Sequence, residues 1–240
     1  MGLFGIFGKK APSESAIAKQ VQKAKEQYAK PEYRRMAMDK LLEWDTKESL
    51  AGVLGRFSVV VQSPHWDEEE KRWLVEEFVK RGDAVKDVLI DFLMKANEVT
   101  YVIRCLEKIC SKDEMQTILV DALRKRNPDD YRSHQAKMEL IAAFEEYDSD
   151  LTTEVALPYL RDHNDDVKCM SIDVLAPRKS KHVQTELVKM LSEDYHSGRV
   201  LRKAAQAVHA AGLEIPADLG LAKEVTEDFV VKDGKLVRPS

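Results

Sequence analysis

The stretch LPYLRDHNDDVKCMSIDVL, residues 157–175, decides the fold. An apolar helix end closes on one Asp, a short polar break follows, and Asp-Val-Lys opens a second apolar helix. Asp at the close of one helix and Asp near the start of the next can accept backbone N–H bonds and favour the positive end of the following helix. A turn pinned in this way is the mark of a repeated helix pair. Pro158 lies inside the first of the two helices, where it must kink the helix or release the hydrogen bond to Glu154.

Working outward, the same grammar returns along the chain. Ile17, Val21, Ala24 and Tyr28 recur at helical spacing before Pro31, and Tyr33, Ala37, Leu41 and Trp44 follow it. Leu50, Val53, Leu54 and Phe57 complete a pair after DTKES. Leu74 and Phe78 lead to Val85, Val88, Leu89 and Phe92, and Val102, Leu106 and Ile109 lead to Met115, Ile118, Leu119 and Leu123. Ala136, Leu140 and Phe144 precede Val155, Leu157 and Leu160, and Val167, Ser171 and Leu175 precede Val183, Leu187, Met190 and Leu191. Val200, Ala204 and Val208 begin a sixth pair without a clear second member.

The middle anchors of the first helices are Ala37, Leu74, Leu106, Leu140, Ser171 and Ala204, at intervals of roughly 31 to 37 residues. That period signals stacked helix pairs, each too small to bury its own apolar face and each covering its neighbour. The Thr-Pro-Leu-His turn of ankyrin repeats and the Trp…Leu-Gly…Tyr pattern of tetratricopeptide repeats are both missing. Instead, Leu157-x-x-Leu160-x-Asp162 followed by Asp166-Val167-Lys168 resembles the short bacterial HEAT-like repeats also seen in bilin-lyase relatives. MLSEDYHSGRVLRKAAQAV (190–208) repeats the phrase loosely, and PEYRRMAMDKLLEWDTKESL (31–50) carries Arg34 in its basic slot. Lys168 stands where that family usually has Arg, and the second and third pairs match poorly. The resemblance extends over residues 31–212. It implies an all-α, right-handed solenoid of about five to six helix pairs, and it carries no catalytic residue over.

The ends differ in kind. FVVKDGKLV (229–237) sets Asp233-Gly234 between two apolar runs, which predicts a β-hairpin docked by Val230, Leu236 or their neighbours. The expected organisation is a flexible apolar and basic leader over 1–12, a capping helix over 13–30, the repeats over 31–215, and a tail with the hairpin over 216–240. In the leader, Leu3, Phe4, Ile6 and Phe7 followed by Lys9 and Lys10 are candidates for docking on a membrane surface or in a partner's groove.

Composition narrows the chemistry. The 240 residues are 44% hydrophobic and 33% charged, with a formal charge of −4, which gives no global attraction to a polyanion and argues against a nucleic-acid partner. No run approaches the length of a membrane span. Cys105, Cys110 and Cys169 form an odd set, which points to buried thiols in a reducing cytoplasm, with the leader as the one segment suited to the membrane periphery. His65, His134, His163, His182, His196 and His209 are scattered without ligand spacing, and only His163 and Cys169 could approach across a turn. Asp129-Asp130, Asp148-Asp150 and Asp165-Asp166 sit at expected turns. Trp44, Trp66 and Trp73 concentrate in the first third, where SPHW (63–66) reads as an irregular insert. Basic clusters stand at LRKRN (123–127), PRKSKH (177–182) and RVLRK (199–203), each with acidic neighbours.

The sequence therefore implies a non-catalytic scaffold or adaptor, with no cofactor and no metal, holding a protein partner on the concave face lined by the second helices. The alternatives are a nucleic-acid-binding or DNA-glycosylase-like HEAT protein and a bilin-lyase-like chromophore handler.

Overall fold

The computed structural model describes residues 11–239, and these are mostly helical. The chain forms two compact units, Met1–Ser111 and Lys112–Ser240. The boundary falls between the two helices of the third expected pair, so that pair is shared between the units.

In the first unit, α1 (Glu14–Ala24) is capped by Ser13, whose hydroxyl accepts from the Ala16 amide at 3.2 Å. The apolar spacing predicts helix as far as Tyr28, but α1 stops at Ala24 and Tyr28 is exposed. The next helix is α2 (Pro31–Trp44), and Lys30 before its proline is extended, as expected of a residue that a following proline pushes out of the helical region. Along α2 the inward residues are Arg34, Ala37, Met38, Leu41 and Leu42, whereas Tyr33 is exposed. Thr46 and Ser49 form a capping box that starts α3 (Lys47–Leu54). The first helix packs on both α2 and α3. Gly52 permits that approach, because a Cβ there would lie 2.5 Å from Val21 Cγ2.

Helix α4 (Pro64–Arg81) begins at the proline of SPHW, so that segment is a helix start and not an irregular insert. After α4 come α5 (Lys86–Leu93) and α6 (Thr100–Ile109). The first helices α4 and α6 pack together, as do the second helices α3 and α5.

The second unit contains α7 (Lys112–Arg124), α8 (His134–Ala143), α9 (Asp150–Ala156), α10 (Asp165–Leu175), α11 (Lys181–Met190), α12 (Gly198–Ala211) and the short α13 (Lys223–Thr226). Pro158 acts as expected: α9 ends at Ala156 and the chain tightens into a 3₁₀ turn over Leu157–Arg161. Beyond it, Asp162 accepts the Asn164 amide at 2.8 Å through one oxygen and the Lys137 ammonium at 2.6 Å through the other. The cap of α10 is Asn164, which accepts from the Asp166 and Val167 amides, so Asp165 and Asp166 occupy the first turn without capping it.

At the end of the chain, β1 (Val230–Lys232) pairs antiparallel with β2 (Lys235–Val237). Asp233 and Gly234 both have positive φ (51° and 75°), the signature of the tight turn that Asp-Gly favours. Leu236 and Phe229 are buried and anchor this ribbon, whereas Val230 is exposed and takes no part in docking. His209 on α12 fixes the register by a 2.7 Å contact from Nδ1 to the Leu236 carbonyl.

One position recurs across both units. The residue three before each first-helix anchor is Arg34, Lys71, Ile103, Lys137, Lys168 or Leu201, and every one of the six is buried. Four are cations, and each has a carboxylate within reach: Arg34 with Glu70 (2.8 Å), Lys71 with Asp67 (2.7 Å), Lys137 with Asp162 (2.6 Å) and Lys168 with Asp165 (3.0 Å). A buried cation without such a partner would lose its hydration uncompensated.

Candidate partner-binding groove

The side chains of ordinary catalytic chemistry are spent on structure. Glu70 accepts from the Arg34 and Arg56 guanidiniums, Arg56 also reaches Asp67 at 2.8 Å, and Asp67 in turn accepts from Lys71 and the Val61 amide. Burial pushes the Asp67 carboxyl up, but hydrogen bonds from Lys71 and Arg56 outweigh it and hold the group below its ordinary range. Tyr101 stacks on Phe57 and donates to Glu68; burial and that bond raise its phenol to about 12.

The histidines and thiols are equally local. His163 faces Asp129 at 3.5 Å, His65 faces Glu69 at 3.4 Å, and the His134 Nδ1 meets the Tyr131 carbonyl at 3.1 Å. His196 is buried, with Nε2 at 3.0 Å from Glu193 and Nδ1 without a hydrogen-bond partner; burial lowers its pKa. Cys105 and Cys169 are free thiols, and burial pushes Cys105 up to about 12, far from a thiolate nucleophile. Among the described residues no group of three or more His, Cys, Asp or Glu converges as a metal site.

Several members of the basic clusters are tied down in the same manner. Arg126 is buried and donates to the Ala122 carbonyl, and Arg178 is buried and donates to Thr152, Thr153 and the Phe144 carbonyl. Arg199 pairs with Asp166, Arg202 with Glu227 and Asp228, and Lys203 with Asp173.

What remains is surface relief. Between the second helices α3 and α5 runs a groove of about 520 Å³. Ala51, Gly55, Val88, Phe92 and Ala96 make it apolar, and Lys25, Lys47, Glu48, Asp91 and Lys95 line it with charge. Lys47 bridges to Asp91 at 3.0 Å across the two helices, and that bond raises its pKa. The side chain of Lys25 lies across Gly55, its Cδ 3.4 Å from where a Cβ would stand. Lys25 and Lys95 form no ion pair with another described residue.

Val88 and Phe92 were legible as an apolar stripe, but their partial service to a groove was not. The signal in the sequence is the small pair Ala51 and Gly55, which leaves the outer face of α3 unfilled. A second groove of similar volume lies between α1 and α2, where Tyr33 and Met36 are exposed. The leader candidates Leu3, Phe4, Ile6, Phe7, Lys9 and Lys10 lie outside the described residues. No helix among the described residues is long and apolar enough to cross a membrane.

Comparison of the chain with family models, with curated proteins and with solved structures found no match in any of the three.

Proposed function

We propose that the chain is a non-enzymatic binding module in which HEAT-like helix pairs stack as a right-handed solenoid and the second helices hold a protein partner. The observation that carries the reading is the groove between α3 and α5. It is apolar relief on the second helices of the first unit, whereas that unit's buried ionisable groups, Glu70 with Arg34 and Arg56 and Asp67 with Arg56 and Lys71, are engaged with one another away from it and not focused on a reacting point. Two further observations support it. The recurrence of a buried residue three before each anchor is what a translational repeat requires, because equivalent positions meet equivalent surroundings. The pairing of Arg199, Arg202 and Lys203 with carboxylates favours a protein partner over a phosphate backbone, which is gripped by cations free to release its counterions.

Site-specific photo-crosslinking in lysate of the source cells checks the reading. A benzophenone side chain at Ala51, exposed in the groove, should capture a discrete protein, whereas the same group at Glu76, exposed on the first helix α4, should not. Equal capture from both positions, or capture from Glu76 alone, would count against a second-helix surface.

A further inference from the structure

We infer that the segment seated between α3 and α5 is an acidic amphipathic helix of the protein partner, an inference that rests on the reading above and adds the chemistry of the occupant. The shape argues for a helix. The groove is an open trough between two helices that pack on one another, with Val88 buried, Phe92 half-buried and Ala51 at the surface of α3. A partner helix meets such a trough with apolar side chains at i, i+3, i+4 and i+7, and the small residues Ala51 and Gly55 let its backbone come close.

The charge argues for acid. Lys47 and Asp91 neutralise one another at 3.0 Å, which leaves Lys25 and Lys95 against the single carboxylate of Glu48. A basic helix laid here would add its ammonium groups to a lining with one lysine in excess, whereas an acidic helix offers Lys25 and Lys95 carboxylates beyond that of Glu48. The same arithmetic disfavours nucleic acid: strong backbone binding neutralises about 6–10 phosphates, far more than two lysines supply, and an apolar floor offers phosphate nothing.

The experiment is a selection on the full chain with a phage-displayed library of helical peptides. Apolar residues are fixed at i, i+3, i+4 and i+7, and the outward positions are drawn equally from Lys, Glu, Gln and Ser. Binders are subtracted against the variant A51Q/S58Q, which puts neutral polar chains into the groove at two exposed residues that bury nothing. The expected result is enrichment of peptides rich in Glu, whose affinity falls about tenfold when Lys25→Glu and Lys95→Glu are combined. Enrichment of neutral or Lys-rich peptides that A51Q/S58Q fails to bind would overturn the acidic occupant while leaving the groove as a binding surface. Failure of any peptide to discriminate wild type from A51Q/S58Q would overturn the groove itself, and the proposed function with it.

Discussion

Glu70→Gln is the most informative single perturbation, because it removes one charge and almost no volume. Among the described residues Glu70 is the only anion that Arg34 touches: Nε reaches its two oxygens at 3.1 and 3.0 Å and Nη2 reaches it at 2.8 Å. In the variant Arg34 would face a neutral amide and keep its oxygen and the Ala29 and Glu26 carbonyls as acceptors, but no anion. Arg56 fares better, keeping Asp67 at 2.8 Å and the Val59 carbonyl at 2.7 Å. The variant therefore strands one guanidinium that is 2% exposed, and breaking a buried pair in this way costs about 3–5 kcal/mol. All three tryptophans, Trp44, Trp66 and Trp73, belong to the first unit, so tryptophan emission reports that unit alone. With a urea slope of about 2 kcal/mol per molar, the emission midpoint should fall by about 1.5–2.5 M. The double variant Arg34→Met/Glu70→Leu strands no cation and should recover at least half of that loss. A fall below about 0.5 M for Glu70→Gln, or a double variant no better than the single one, would refute the stranded-charge argument.

The remaining expectations concern other parts of the molecule. Asp162→Asn strands Lys137, whose ammonium is fully buried, and should cost about 3–5 kcal/mol in the second unit, visible by far-ultraviolet circular dichroism. Gly52→Ala forces a methyl onto Val21 and should lower the tryptophan-monitored stability by about 1–3 kcal/mol, although alanine is the better helix former. His196 has its pKa depressed below 6.5 chiefly by burial, so between the folded value and 6.5 the unfolded chain binds more protons than the folded one. Stability should therefore decline as pH falls through that window, and circular dichroism midpoints of His196→Gln should show a shallower decline. Cys105 should resist iodoacetamide in the native protein and alkylate only on unfolding, as read by peptide mass spectrometry; native labelling at the unfolded rate would contradict its burial.

Much of the helical layout was legible because it is written in local spacing. Pro31 and Pro64 open helices, Pro158 ends one, and Asp233-Gly234 turns the final ribbon, each through a backbone constraint that its neighbours in sequence reveal. The choice of Tyr33 over Arg34 as the inward residue of α2 failed for the opposite reason. Polarity alone assigns the tyrosine to the core, but the arginine is made buriable by a glutamate 36 residues later, which no window of local spacing can see. Lys137 and Asp162, 25 residues apart, are a second instance. The groove was hidden more thoroughly, since it depends on how α3 and α5 lie side by side and on lysines that any helix surface carries. Its one sequence signal, Ala51 with Gly55, is an absence of bulk.

The pairing of Arg34 with Glu70 also has a direction in time. Ribosomes deliver the arginine first, and its counter-ion emerges only after 36 more residues have been joined. Until then the guanidinium must stay hydrated, so the opening hairpin cannot dry out when its own helices are complete and has to wait for α4. A nascent chain arrested before Glu70 should therefore expose the apolar side chains of α2 to chaperones, and one arrested well beyond it should not.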